Sequence, residues 1–393
     1  MMIPLRISAM TVTSALGTGC EATRAALHAR RGGLAPCTLP GMPPGIWTGR
    51  IADAELPAIE GPFDCRNNRI AEAALRADGF ADAVLAARER HGAARVAVIL
   101  GTSTSGIEET EQAYTRRDAQ GVLPIALDFA RTHDLHSLPR YVRARLGLRG
   151  PALSISTACT SGALTLLEAA RMIAVGVADA VVAGGADSLC RLTLHGFASL
   201  ELLARGACRP CAEDRDGICI GEAAGLVLLE RAAPGDRGAI GLLGAGASSD
   251  GHHMSSPHPD GIGAVTAMRS ALASAGIGAE DIDTIAMHGT GTRANDAMED
   301  RAIAQVFGDR VPASSTKGYT GHTLGASGAL EAVMAALCIQ DGLIPGCLNI
   351  EAADPGFASR IAVENRAGRV DRVMKNAFGF GGSNVALVLG RLA

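Results

Sequence analysis

Four stretches of the chain combine reactive side chains with small residues in ways that could do chemistry. In Ser156-Thr-Ala-Cys-Thr-Ser-Gly162, a thiol stands where an apolar run gives way to a helix-forming one. A cysteine at a helix N-terminus meets unpaired N–H groups and the positive end of the helix dipole. That placement lowers a thiol pKa and sets N–H donors where an oxyanion would develop. Met287-His-Gly-Thr-Gly-Thr292 puts His288 before a turn whose backbone and hydroxyls can come close to a ligand. Ser315-Thr-Lys-Gly-Tyr-Thr-Gly-His-Thr-Leu-Gly-Ala-Ser-Gly328 carries Lys317 and His322 and leads into a helix bearing Glu331. A lysine there can pair with a carboxylate or orient the imidazole. Phe378-Gly-Phe-Gly-Gly-Ser-Asn384 is a glycine turn around Phe380. Each stretch also has a plainer reading: a buried structural thiol, a satisfied core histidine, a lysine beside a loop, a turn with a packed ring.

The elements that must position these groups alternate along the chain. Strand-like runs fall at 95–100, 152–156, 180–184, 225–230, 282–288 and 385–389, and a helix is expected from about 158 to 175. Such alternation argues for an α/β fold with buried sheets. The Pro- and Gly-bearing stretch 231–238 reads as a connector between two parts, 1–238 and 239–393. Ser161-Gly-Ala-Leu164 follows the cysteine and Ser327-Gly-Ala-Leu330 follows the second histidine. Each opens a small-residue helix after a Ser/Thr/Gly-rich turn, a hint of internal repetition.

Composition narrows the function classes. The 393 residues carry a formal net charge of −4, which gives nucleic-acid binding no support. No apolar run reaches the roughly 20 residues that span a bilayer, and the N-terminal residues lack the look of a secretory signal. Ten cysteines are too dilute for a disulfide scaffold and read as cytosolic thiols. Aromatics make up only 3% of the residues, while Ala and Gly abound, a composition for tight packing of backbones. Lys317 and Lys375 are the only lysines, against a background of arginine, so each stands out as a candidate for a special role.

Taken together the four stretches resemble the thiolase-like condensing enzymes, specifically the elongating β-ketoacyl-acyl-carrier-protein (ACP) synthases. The likeness covers nearly the whole chain. It adds residues 7–17, Gly101-Thr-Ser103, Cys208-Arg-Pro210, Arg215-Asp-Gly217, Gly221-Glu-Ala-Ala-Gly225 and residues 248–254. It implies a five-layered αβαβα thiolase-like fold of two similar halves, the first bearing the nucleophile and the second both histidines. It implies that Cys159 takes an acyl group from the phosphopantetheine of ACP, with His288 and His322 assisting decarboxylation of malonyl-ACP. By the same resemblance Lys317 and Glu331 support the site, Asp296 and Glu299 are acidic positions beside the histidine turn, and Phe380 gates it and lends a backbone N–H. Thr290 and Thr292 would bind pantetheine, and Arg66, Arg69 and Arg209 are candidates for docking the acidic ACP. Neither resident cofactor nor metal is expected; Cys208-x-x-Cys211 lacks a second pair at zinc spacing. A homodimer, or a heterodimer with a chain-length factor, is expected in the cytoplasm. The pattern looks closest to specialised-pathway synthases such as those for aryl polyenes. The alternative is a non-catalytic, chain-length-controlling subunit.

The chain departs from the family pattern at Arg293-Ala-Asn295 and at Cys211.

Overall fold

The computed structural model describes residues 1–124 and 127–393. Its strands fall into two sets of matching design. The first holds β1 (Leu5–Ser14), β2 (Val96–Gly101), β3 (Ala152–Ile155), β4 (Ala180–Asp187) and β5 (Ala223–Arg231), in the order β3-β2-β4-β5-β1. The second holds β6 (Ile240–Ser249), β7 (Thr284–Ala286), β8 (Pro312–Ser314), β9 (Arg360–Ile361), β10 (Arg372–Gly379) and β11 (Ser383–Arg391), in the order β9-β8-β7-β10-β11-β6. In both, a parallel core is followed by two antiparallel strands. The sets join edge to edge where Leu5 and Arg6 pair with Leu242 and Gly241. The chain passes from one set to the other through the turn Pro234–Asp236, within the connector read from sequence.

Helices cover both faces of each set. On the first set lie α1 (Arg66–Arg76), α2 (Phe80–His91) and α3 (Ser137–Arg145). Between the sets lies α4 (Ser161–Ala174); α5 (Arg191–Ser199) follows at the site described below. Against the second set lie α6 (Ile262–Ala275) and, packed on it, α7 (Arg293–Phe307). The last helix, α8 (Ser327–Asp341), lies beside α4, and both touch strands of the two sets. The result is the expected five-layered αβαβα arrangement. Its parallel strands read as continuous apolar runs because both faces are covered.

The repeated Ser-Gly-Ala-Leu motif opens the two central helices. A Cβ on Gly162 would lie 2.7 Å from the Gly325 carbonyl, and one on Gly328 would lie 2.5 Å from the Ala163 nitrogen. The helices therefore meet backbone to backbone, which only a residue without a Cβ permits. Their buried faces complete one core shared by both strand sets, including Leu166, Ile173, Leu330, Val333 and Leu387. Among the described residues, no helix is long and apolar enough to cross a membrane.

Candidate active site

Cys159 sits in the turn between β3 and α4. The helix begins at Ser161, three residues later than the sequence suggested, because Ala158 takes a left-handed conformation with φ of 52°. The turn is laced by its own hydroxyls. Ser161 Oγ accepts the Thr157 N–H at 2.9 Å and donates to the Ala158 carbonyl at 2.6 Å, while Thr160 Oγ1 donates to the Thr157 carbonyl at 2.7 Å. Cys159 is only 7% exposed. The glycine turn after β10 closes over it, and a Cβ on Gly379 would stand 3.3 Å from the Cys159 nitrogen. Burial pushes the Cys159 thiol up to about 11, against the pull of Lys317 and of the Phe380 and Cys159 N–H groups. The lowered pKa expected from a helix N-terminus is thus overturned: desolvation of the thiolate outweighs the donors around it.

His288 follows β7, and two acids on one face of α7 hold its turn. Glu299 accepts the His288 and Gly289 N–H groups at 2.8 and 2.7 Å. Asp296, one helical turn away, accepts the Gly291 N–H at 3.1 Å and the Cys211 N–H at 2.9 Å. Burial lifts Glu299 to about 7 despite these donors. Lys317 Nζ donates to the His288 carbonyl at 2.5 Å and to Glu331 Oε1 at 2.6 Å, and lies 3.4 Å from His288 Nδ1. An ammonium only donates, so Nδ1 faces it unprotonated and Nε2 carries the ring proton.

His322 is held by its main chain and left free at its ring. Its N–H donates to the Cys219 carbonyl at 2.6 Å and its carbonyl accepts the Gly221 N–H at 3.0 Å. Both ring nitrogens are buried without a hydrogen-bond partner among the described residues. Buried polar atoms are nearly always paired, so an orphaned pair in a cavity marks groups kept for a ligand. The two imidazoles stand edge to face with centroids 5.2 Å apart. Burial, then the Lys317 charge, holds both well below the ordinary histidine pKa, so both are neutral at pH 7.

The structure brings the three expected groups together: the thiol and one nitrogen of each imidazole lie within 4.8 Å of one another. They line a cavity of about 340 Å³ that also takes in Thr290, Thr292 and Phe380. The two threonine hydroxyls are 2.9 Å apart, and Thr292 caps α7 by accepting the Asn295 N–H. The Phe380 ring packs 5.7 Å from that of Phe197 on α5.

The three arginines separate. Arg66 is a correction. It is buried, with its guanidinium on both oxygens of Glu222 at 2.5 and 2.9 Å and on Asp53 at 2.6 Å, so it has no face to offer an ACP. Burying a guanidinium is tolerable only with such pairing. Arg69 is partly exposed but forked onto Asp64, and Arg209 leans on Asp216 at 3.3 Å. Cys208 and Cys211 part ways: the Cys208 N–H reaches Cys219 Sγ at 3.2 Å, while the Cys211 thiol faces Met287. Three supporting residues are not visible from sequence. They are Asp187, which ties residues 102–104 to Gly325, and the neighbours Lys375 and Asn376. Only the rarity of lysine hints at one of them.

The comparisons agree with this geometry. Residues 62–234 match the β-ketoacyl synthase N-terminal domain and residues 241–351 its C-terminal domain. The chain is 39% identical over 313 residues to 3-oxoacyl-[acyl-carrier-protein] synthase 2 of Rhizobium meliloti strain 1021, spanning 75% of this chain and 73% of that one. It is 38% identical over 315 residues to the synthase 2 of Coxiella burnetii, with 76% of each covered. Among solved structures it superposes with a TM-score of 0.91 and 38% identity on a chain of the ketosynthase ApeO–chain length factor ApeC complex of Xenorhabdus doucetiae, covering 99% of this chain and 98% of that one. The ishigamide ketosynthase/chain length factor gives a TM-score of 0.90 at 28% identity, with both chains fully covered. A thiolase-type condensing enzyme is the class these features define. Within it, this chain belongs to the β-ketoacyl synthase family.

Proposed function

We propose that this chain is an elongating β-ketoacyl-ACP synthase whose nucleophile is Cys159. The observation that carries this is the convergence of one thiol and two neutral imidazoles in a single cavity. In the first half-reaction Cys159 Sγ attacks the acyl thioester of acyl-ACP; the new thioester forms, and the thiol proton leaves with the released phosphopantetheine sulfur. A neutral imidazole beside Sγ supplies the base that a thiol of pKa about 11 requires. In the second, malonyl-ACP loses CO₂ and the electron pair passes into an enolate. N–H donors from His288 and His322 meet the developing oxyanion. The enolate carbon then attacks the acyl-Cys159 carbonyl, with the N–H groups of Cys159 and Phe380 at its oxygen. Collapse expels the Cys159 sulfur, which regains a proton, and frees β-ketoacyl-ACP. Substrates arrive on the phosphopantetheine of ACP, with Thr290 and Thr292 along its path, and these steps draw on no resident cofactor.

Partnership with a second subunit is supported by the outer edge of the first strand set. There β3 has one unpaired side, Leu153 is 45% exposed, and the neighbouring segment shows Phe129 and Leu135 to solvent. An exposed apolar strand edge is a liability unless something covers it. The likeness to the ApeO–ApeC complex supports a chain-length factor as that partner and an aryl polyene or related polyene pathway as the setting. Ten free cysteines fit the cytoplasm. A silent-subunit reading leaves the three converging reactive groups without a purpose.

The test is condensation of malonyl-ACP with a panel of acyl-ACP primers, read by mass spectrometry of carrier-bound products. Wild type should give β-ketoacyl-ACP, and Cys159→Ala should neither acylate nor condense. Equal product from both would eliminate the proposal.

A further inference from the structure

The second lysine of the chain is as buried as the first. Lys375 is fully enclosed, and its ammonium lies 2.7 Å from Glu331 Oε2, while Lys317 holds Oε1 of the same carboxylate at 2.6 Å. Lys375 also donates to the Asn376 carbonyl. On β10, in register with Ala286 of β7, it stands beside the strand that delivers His288.

Side chains alternate across a strand, so Lys375 and Asn376 point to opposite faces. Lys375 reaches inward to Glu331 on the central helix α8. Asn376 reaches outward, where its amide donates to Glu299 Oε1 on α7 at 3.2 Å. This dipeptide therefore touches both carboxylates behind the histidines: Glu331, which holds Lys317, and Glu299, which holds the main chain of His288.

Burying a second ammonium is costly, and a buried ion pair adds little net stability over a well-packed apolar residue. Such a group is retained for what it places. We infer that Lys375 is a positioning residue for decarboxylation: by anchoring the far oxygen of Glu331 it keeps Lys317 against the His288 carbonyl, and so fixes the imidazole that meets the malonyl thioester. Without it, Glu331 is free to turn about its side chain, and the ammonium of Lys317 follows. The charged and titratable groups facing the two imidazoles are Cys159, Lys317, Lys375, Glu299 and Glu331, and the Lys375 charge helps keep both rings neutral.

The inference rests on the synthase reading, and the experiment separates the two. Wild type, Lys375→Met, Lys375→Gln and Lys375→Arg are compared for acylation of Cys159, for kcat and KM of malonyl-ACP decarboxylation across pH, and for melting temperature. Rates are normalised to the fraction of chains that acylate. K375M should lose about tenfold or more in kcat with KM and acylation within twofold. Its acid limb should move to higher pH, because a cation near both imidazoles is gone. Its melting temperature should not fall, since Glu331 keeps Lys317. If K375M does not accumulate, K375R against K375Q decides: Arg reaches Glu331 with a charged donor and should retain the rate that Gln loses. Equal kcat and pH profile in wild type and K375M, equal rates in K375R and K375Q, or equal loss of acylation and decarboxylation would overturn the inference. Failure of wild type to decarboxylate malonyl-ACP at all would sink the synthase reading instead.

Discussion

Asp187→Asn should cut one strut of the site and leave the rest in place. Asp187 ends β4 with its carboxylate fully buried. Oδ1 accepts from Thr102 Oγ1 at 2.7 Å and from the Ser103 N–H, the Thr104 N–H and Thr104 Oγ1, each at 2.8 Å. Oδ2 accepts the Gly325 N–H at 2.5 Å, three residues after His322. Asparagine can keep its carbonyl toward the four donors, but it then turns an NH₂ toward the Gly325 N–H. Two donors face each other without an acceptor, each costing about 1–3 kcal/mol, so the change should destabilise by about 3 kcal/mol. An unfolding entropy of about 2.1 cal/mol/K per residue gives this 393-residue chain about 0.8 kcal/mol per kelvin, so the melting point should drop by about 4 °C. Calorimetry reads that shift. Malonyl-ACP decarboxylation should fall more than Cys159 acylation, because the loosened loop carries His322. A melting point within 1 °C of wild type, with both rates unchanged, would refute the reasoning.

Three further outcomes are expected. His288 and His322 stay neutral in the fold but take up protons near pH 6.5 once unfolded. Their contribution is therefore complete above pH 6.5 and lost as pH falls, by about 1.4 kcal/mol per pH unit for each ring. Melting between pH 7 and pH 5 should show a steeper acid loss in wild type than in His322→Asn. Gly162→Ala should force apart α4 and α8 and cost about 1–3 kcal/mol by overpacking, read by thermal melting. Leu153→Asp should release the second subunit at the β3 edge, seen as a halved mass in light scattering, with the melt of the monomer otherwise little changed.

The sequence is most legible where chemistry and backbone geometry coincide. Cys159, His288, His322, Lys317 and Glu331 lie in or next to turns whose glycines and hydroxyls announce close approach, and the Ser-Gly-Ala-Leu repeat foretells the two central helices. Long-range electrostatics is not legible. Arg66 opens a helix like any surface arginine, and its partner Glu222 lies 156 residues away in sequence. The protonation of Cys159 is hidden for a related reason. A helix N-terminus can be seen in a sequence, but the degree of desolvation depends on the glycine turn after β10 folding over it. Asp187, Lys375 and Asn376 sit in apolar strand runs, where nothing local says that a buried charge meets its partners on another layer.

The offset between the two Ser-Gly-Ala-Leu motifs aligns Cys159 with Gly325. A duplicated scaffold thus has two equivalent seats for a nucleophile, one before each central helix. In the second, a side chain would begin 2.7 Å from Asp187 Oδ2 and 3.0 Å from the Ser103 nitrogen. That seat is sealed by the strut that steadies His322, so one copy of the ancestral turn has become the mounting for the chemistry of the other.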